Sequence, residues 1–251
     1  MKSCGRLYLI FLLFIFSRSG AQTVACLYAD SGLQHVAQYA TYLEDTEGNL
    51  TLGQITSPAF QPRFKPTGKS AVSFNVTRSV FWVHFILTTK ENAEWNIHTE
   101  PALTNDMRFY RKTANGWSIS QSGLDYPFSK RELNFNSIIF PLHLKAGDTC
   151  EYYLRIRSCF PVTILARAGT AQHFWLKQYY DSIFTGIFMG IMLIMMLYNL
   201  FLYVTNRDRV YIWYVLYVLT SAIFISYTNG YISIFPDIFR RVFTFNHTTY
   251  P

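Results

Sequence analysis

The sequence predicts an all-β, jelly-roll-like sandwich outside the cytoplasm, followed by transmembrane α-helices. Three observations predict it. Residues 183–204 hold no Asp, Glu, Lys or Arg and one amide, Asn199; at about 1.5 Å per residue, such a run crosses roughly 30 Å of hydrocarbon. Residues 40–168 read as short runs of β-branched and aromatic residues separated by turn residues. The first residues have the pattern of an export signal.

The elements follow in order. Lys2 and Arg6 form a positive start, residues 7–16 are apolar, and Ser19-Gly20-Ala21 supplies small residues for cleavage. This predicts a signal peptide over 1–21 and a mature chain from about Gln22, with an uncleaved anchor as the other reading. Residues 22–39 form a lead-in, and 40–170 the sandwich. Ser79-Val80-Phe81-Trp82-Val83-His84-Phe85-Ile86-Leu87 is a rich strand. Trp95 to His98 is a shorter one. Strands around 107–111 and 117–120 are joined through Thr113-Ala114-Asn115-Gly116, and Asn-Gly is a strong hairpin signal. Residues 138–144 alternate, and Lys145-Ala146-Gly147-Asp148 turns the chain. Tyr152, Leu154 and Ile156 then share one strand face, and 162–166 is a further strand.

Residues 171–182 are a connector, 183–205 the first span and 210–228 the second. Arg207 and Arg209 between the spans place that short loop in the cytoplasm by the positive-inside rule. Interfacial aromatics support this: Phe174, Trp175, Tyr179 and Tyr180 at the outer end, Tyr198, Tyr203, Tyr211, Trp213 and Tyr214 towards the inner one. Residues 229–251 return outside as a loop. Two spans make an incomplete bundle, so a truncated membrane region is expected. Phe235, Phe239, Val242 and Phe243 beside Arg240 and Arg241 form an amphipathic stretch that suits the interface plane.

The formal net charge of +7 is spread along the chain, with no Lys/Arg block suggesting nucleic acid. The six histidines have no metal-ligand spacing, and no G-x-S-x-G, P-loop, G-x-G-x-x-G or H-E-x-x-H motif occurs. No enzyme, metal or cofactor is expected. Asp45 and Glu47 ahead of Gly48-Asn49 read as a turn. Cys26, Cys150 and Cys159 allow at most one bridge, and no spacing selects the pair. Asn49, Asn75 and Asn246 stand in N-x-S/T triplets.

Candidate ligand-binding residues are Trp95, Trp117, Arg108 and Arg131. The two tryptophans lie near strand ends, where an indole either stacks on a sugar face or closes the core. Arg108 and Arg131, with Arg111, Lys112 and Lys130, either meet an acidic ligand or form a solvated rim.

Certain residues together resemble a family. They are Tyr42-Leu43-Glu44-Asp45-Thr46, Leu50-Thr51-Leu52, Ser79 to Phe85, Tyr126-Pro127-Phe128-Ser129-Lys130-Arg131 and Tyr153-Leu154-Arg155-Ile156. They are followed by Gly186-Ile187-Phe188-Met189-Gly190-Ile191, Leu197-Tyr198-Asn199-Leu200-Phe201-Leu202-Tyr203 and Arg207-Asp208-Arg209. In this order they resemble bacterial seven-transmembrane receptors with diverse intracellular signalling modules, with a type-2 extracellular domain. The resemblance implies a carbohydrate-binding-type sandwich, a bundle in the bacterial inner membrane and a cytoplasmic output such as a histidine kinase or diguanylate cyclase. The expected function is extracytoplasmic sensing of a small ligand, with carbohydrate as a candidate class. The alternative is a membrane-tethered binding or adhesion module without signalling. Expected partners are the ligand and the bilayer. The G-x-x-x-G of Gly186 and Gly190 leaves a homodimer open.

Overall fold

Strand alternation sorts side chains to two faces, and in the long strand 80–89 both faces are apolar. Such a strand must be covered twice, and the computed structural model shows how. It describes residues 23–100, 104–113, 116–133 and 135–231. The expected signal peptide, the 232–251 stretch and the Ala114-Asn115 turn lie outside those residues.

Among the described residues, twelve strands form two sheets. The strands are β1 (Ala25–Leu27), β2 (Gln34–His35), β3 (Thr41–Asp45), β4 (Lys65–Pro66), β5 (Ala71–Phe74) and β6 (Val80–Thr89). They continue with β7 (Trp95–Glu100), β8 (Asp106–Thr113), β9 (Gly116–Ser122), β10 (Ile138–Leu142), β11 (Thr149–Arg157) and β12 (Val162–Thr170). The larger sheet runs β4-β3-β6-β11-β8-β9, with β1 parallel to the far end of β6. The smaller runs β10-β7-β12-β2, with β5 also on β12. All other pairings are antiparallel.

The two sheets close over one core. Phe81, Val83, Phe85 and Leu87 of β6 meet Tyr152, Leu154 and Ile156 of β11, Phe109 of β8, and Ile97 and Phe140 of the other sheet. Phe109 stacks between Phe140, at 5.0 Å, and Tyr152, at 5.4 Å. Each such side chain contributes roughly 1.5–3 kcal/mol by leaving water. The lead-in belongs to this core as well: Ala25, Leu27, Val36 and Ala37 are buried in it. Its two strands have two or three residues each, too short to show a period.

The opposite face of the larger sheet carries a second cluster: Leu43, Val80, Trp82, Tyr110 and Tyr153. Residues 46–64 cover it, including the short helix α1 (Leu52–Ile55) with Ile55 buried beneath. Asp45 fixes the start of that cover. Its carboxylate accepts from the Gly48 and Leu50 amides at 2.9 Å each.

After β12 the chain passes directly from Thr170 into helix α2 (Ala171–Asn206), without a linker. The connector is therefore helical and continuous with the first span. At about 1.5 Å per residue α2 is ~54 Å long, so some ~18 Å stands clear of a hydrocarbon core on the sandwich side. Arg207 takes a left-handed conformation (φ 52°) and its amide bonds Tyr203 O at 2.8 Å. Asp208 then caps α3 (Arg209–Thr228) by accepting from the Val210 amide at 3.0 Å. Both helices are long and apolar enough to cross a membrane.

Candidate functional site

The covered face of the larger sheet ends in a polar, aromatic patch. Period-2 alternation brings His84 of β6, Glu151 and Tyr153 of β11, Lys112 of β8 and Trp117 of β9 to this face. The register pairs Tyr153 with His84 and Lys112 with Trp117. The His84 and Tyr153 rings stack with centroids 4.2 Å apart and planes at 1°. Phe64, from the covering segment, stands edge-on to both, at 6.0 and 6.3 Å.

Glu151 gathers the polar groups. His84 Nε2 lies 2.9 Å from Oε1, the Tyr153 hydroxyl donates to Oε1 at 2.9 Å, and Lys112 reaches Oε2 at 3.3 Å. Gln61 donates to the Tyr153 hydroxyl at 3.0 Å. His84 first, then Tyr153 and Lys112, hold the Glu151 carboxyl at about 2 against the opposing effect of burial. Trp117 closes the row. It is half-buried, edge-on to Tyr153 at 5.5 Å, with the Lys112 ammonium 5.9 Å over its ring. The patch thus offers a stacking ring beside several hydrogen-bonding groups.

A second polar group lies further along the face. Buried Asp106 accepts from Arg155 at 2.7 Å, Arg108 at 3.0 Å and the Tyr126 hydroxyl at 2.8 Å. The Arg155 guanidinium also lies over Trp82, 5.9 Å away. Among the described residues no group of three or more His, Cys, Asp or Glu is placed to hold a metal ion.

The four expected ligand residues separate. Trp117 and Arg108 share the outer sheet face. Trp95 is 1% exposed and packs in the sandwich core, where its rings meet other core side chains. Arg131 is 8% exposed and its Nη1 donates to the carbonyls of Phe135 and Asn136, at 2.7 and 3.3 Å. It shapes a loop. Arg111, one of the wider set of basic residues, is buried and pairs with both Glu132 oxygens, at 3.0 and 2.6 Å. His84, Glu151 and Gln61 are not among the expected ligand residues. The alternation that puts Tyr152, Leu154 and Ile156 inwards also points Glu151 and Tyr153 outwards. Gln61 carries no such signal, because it comes from an irregular segment. All three described thiols are free.

The Arg131 loop touches the helices. Phe135 stands edge-on to Trp175 at 4.7 Å. Asn136 accepts from Gln178 of α2 at 2.8 Å and donates to the Asn229 carbonyl, just beyond α3, at 3.0 Å. Under the smaller sheet's outer face, His98 meets Phe174 edge-on at 6.0 Å.

A folded sandwich that runs directly into two long apolar helices fits a domain carried on a membrane region. The comparisons agree. The family model of the 7TMR-DISM extracellular 2 domain matches residues 37–167, just over half of the chain, and that of the 7TM diverse intracellular signalling region matches residues 181–247. The chain belongs to this family of seven-transmembrane receptors, with an extracellular sensory domain followed by a segment that matches the membrane region. It is a membrane protein whose N-terminal domain is extracytoplasmic. No curated protein matches the chain.

Proposed function

We propose that this chain is the receiving end of a bacterial signal-transduction receptor in the inner membrane. A small saccharide binds the outer face of the larger sheet, and the sandwich passes the event to a multi-pass bundle that serves a cytoplasmic output. The chain itself acts by binding, without catalysis. One observation carries the reading: β12, paired on both sides within the smaller sheet, runs into α2 without an intervening residue. A change in sheet geometry therefore reaches the membrane helix with no flexible element to absorb it.

The ligand class rests on the patch chemistry. Sugars present apolar C–H faces and rings of hydroxyls, and they suit an indole beside convergent donors and acceptors. Trp117 supplies the indole; Lys112, Glu151 and Gln61 supply the polar contacts. Arg108 offers a further donor on the same face. Coupling requires that the ligand favour one of two arrangements of sandwich and helices, because equal affinity shifts nothing.

The test uses the full chain in lipid nanodiscs on a glycan array. Retention of a glycan class, lost in Trp117→Ala, is the expected result; no retained glycan removes the saccharide assignment. In a receptor carrying this chain and its output, deleting residues 40–170 should abolish the response. An unchanged response defeats the sensory reading.

A further inference from the structure

We propose that a second ligand site lies at the root of α2, and that it takes a small uncharged ring compound, aromatic or alicyclic. A cavity of about 650 Å³ opens there between β10, the start of β7, Leu133 and Phe135, and the first turns of α2. This volume falls within the range of small-molecule pockets, roughly 300–1,000 Å³.

The walls set the class. Ile139 and Pro141 form the floor, and Phe135, Phe174 and Trp175 form an aromatic side. Phe135 and Trp175 meet edge-on, with planes at 67°. Trp175, 62% exposed, contributes to this wall from the first turns of α2. The charged groups at the cavity are Glu94 and Asp148 against Lys145. That balance gives no attraction for an anion. Asn96 and His143 add hydrogen-bonding groups to the wall, but its apolar share is the larger. An uncharged ring gains contact with the aromatic side, while a polar substituent can reach those groups.

The position sets the consequence. Ala171, Phe174 and Trp175 are residues of α2 itself. An occupant would press on the membrane helix directly, without passing through the larger sheet. The site is independent of the saccharide assignment and stands if that assignment fails.

The test is ¹⁹F NMR of 4-fluorobenzyl alcohol with the full chain in lipid nanodiscs, and empty nanodiscs as the control for bilayer partition. Saturable line broadening in excess of that seen with empty nanodiscs is expected. Ile139→Trp, which fills the cavity, should weaken it at least tenfold. Trp175→Ala, at an exposed position compatible with folding, should weaken it at least threefold. Broadening equal to empty nanodiscs overturns the site. So does unchanged affinity in Trp175→Ala, even where Ile139→Trp fails to fold. Competition by 2-deoxy-2-fluoroglucose at the same cavity would overturn the ligand class.

Discussion

Gln178 of α2 donates to the side-chain carbonyl of Asn136 at 2.8 Å, and this bond ties the sandwich to the first membrane helix. Asn136 is itself placed by Arg131, which holds the carbonyls of Phe135 and Asn136. The same side-chain amide then donates to the Asn229 carbonyl beyond α3. One loop residue therefore reads both helices.

The first prediction concerns that bond. Asn136→Ala and Gln178→Ala should each lower the thermal stability of the sandwich–helix unit. In a double-mutant cycle the pair should show a coupling of about 0.5–1.5 kcal/mol, the usual net worth of such a hydrogen bond. Thermal unfolding in nanodiscs, followed by tryptophan fluorescence, measures it. Additive single-mutant effects would mean that the bond carries no interaction.

A second prediction lies at Gly123. Its φ is 126°, and a Cβ there would stand 2.3 Å from the Asn105 carbonyl oxygen and 2.8 Å from that of Thr104. The close approach lets the Leu124 and Asp125 amides bond the Thr104 and Asn105 carbonyls at 2.8 and 3.0 Å. Gly123→Ala meets both a disfavoured backbone and a backbone clash, so it should cost more than about 1–3 kcal/mol. Urea unfolding should show a lower midpoint with an unchanged slope.

The two tryptophan candidates should part company. Trp95→Ala opens a cavity in the core and should destabilise by about 3–5 kcal/mol. Trp117→Ala removes a half-buried ring at the patch edge and should cost about 1 kcal/mol while abolishing glycan retention. Parallel melts and array binding distinguish them. Equal stability losses would place both indoles in structural roles.

The contrast shows what is legible in the sequence. Both helices can be read because a long charge-free run has few other uses. The β6, β8, β9 and β11 strands can be read from β-branched and aromatic runs. Alternation also gives the inward row of Tyr152, Leu154 and Ile156. The exception, β6, lacks alternation because residues 46–64 bury its second face, and that cover is a long-range fact. Trp95 and Trp117 look alike locally, and only the partner sheet decides which ring is enclosed. Arg131 likewise resembles a surface cation, yet its partners are carbonyls four and five residues on. Gly123 gives no signal, since its constraint comes from a segment about twenty residues away.

The last prediction is a pH dependence at the sandwich–helix junction. His98 is 4% exposed beneath α2, and burial first, then Lys177 and Arg167, lower it from 6.5 to about 4, with Asp181 opposing. Those charges face it from α2 and from β12, where Arg167 is its register partner. The sign follows from the depressed value. The unfolded chain takes up the proton near 6.5 while the folded one does not until about 4, so protons favour unfolding in between. Stability is complete above pH 6.5 and falls as pH drops towards 4. The ceiling is about 3 kcal/mol, since each pH unit between the unfolded and folded values is worth about 1.36 kcal/mol. Thermal melts of the full chain in nanodiscs should therefore weaken from about pH 7 to about pH 4, and His98→Leu should flatten that part of the profile. Protection factors at residues 171–178, with the intrinsic exchange rate at each pH divided out, should fall over the same interval in the parent chain alone. An identical slope in both proteins would show that His98 does not govern the junction.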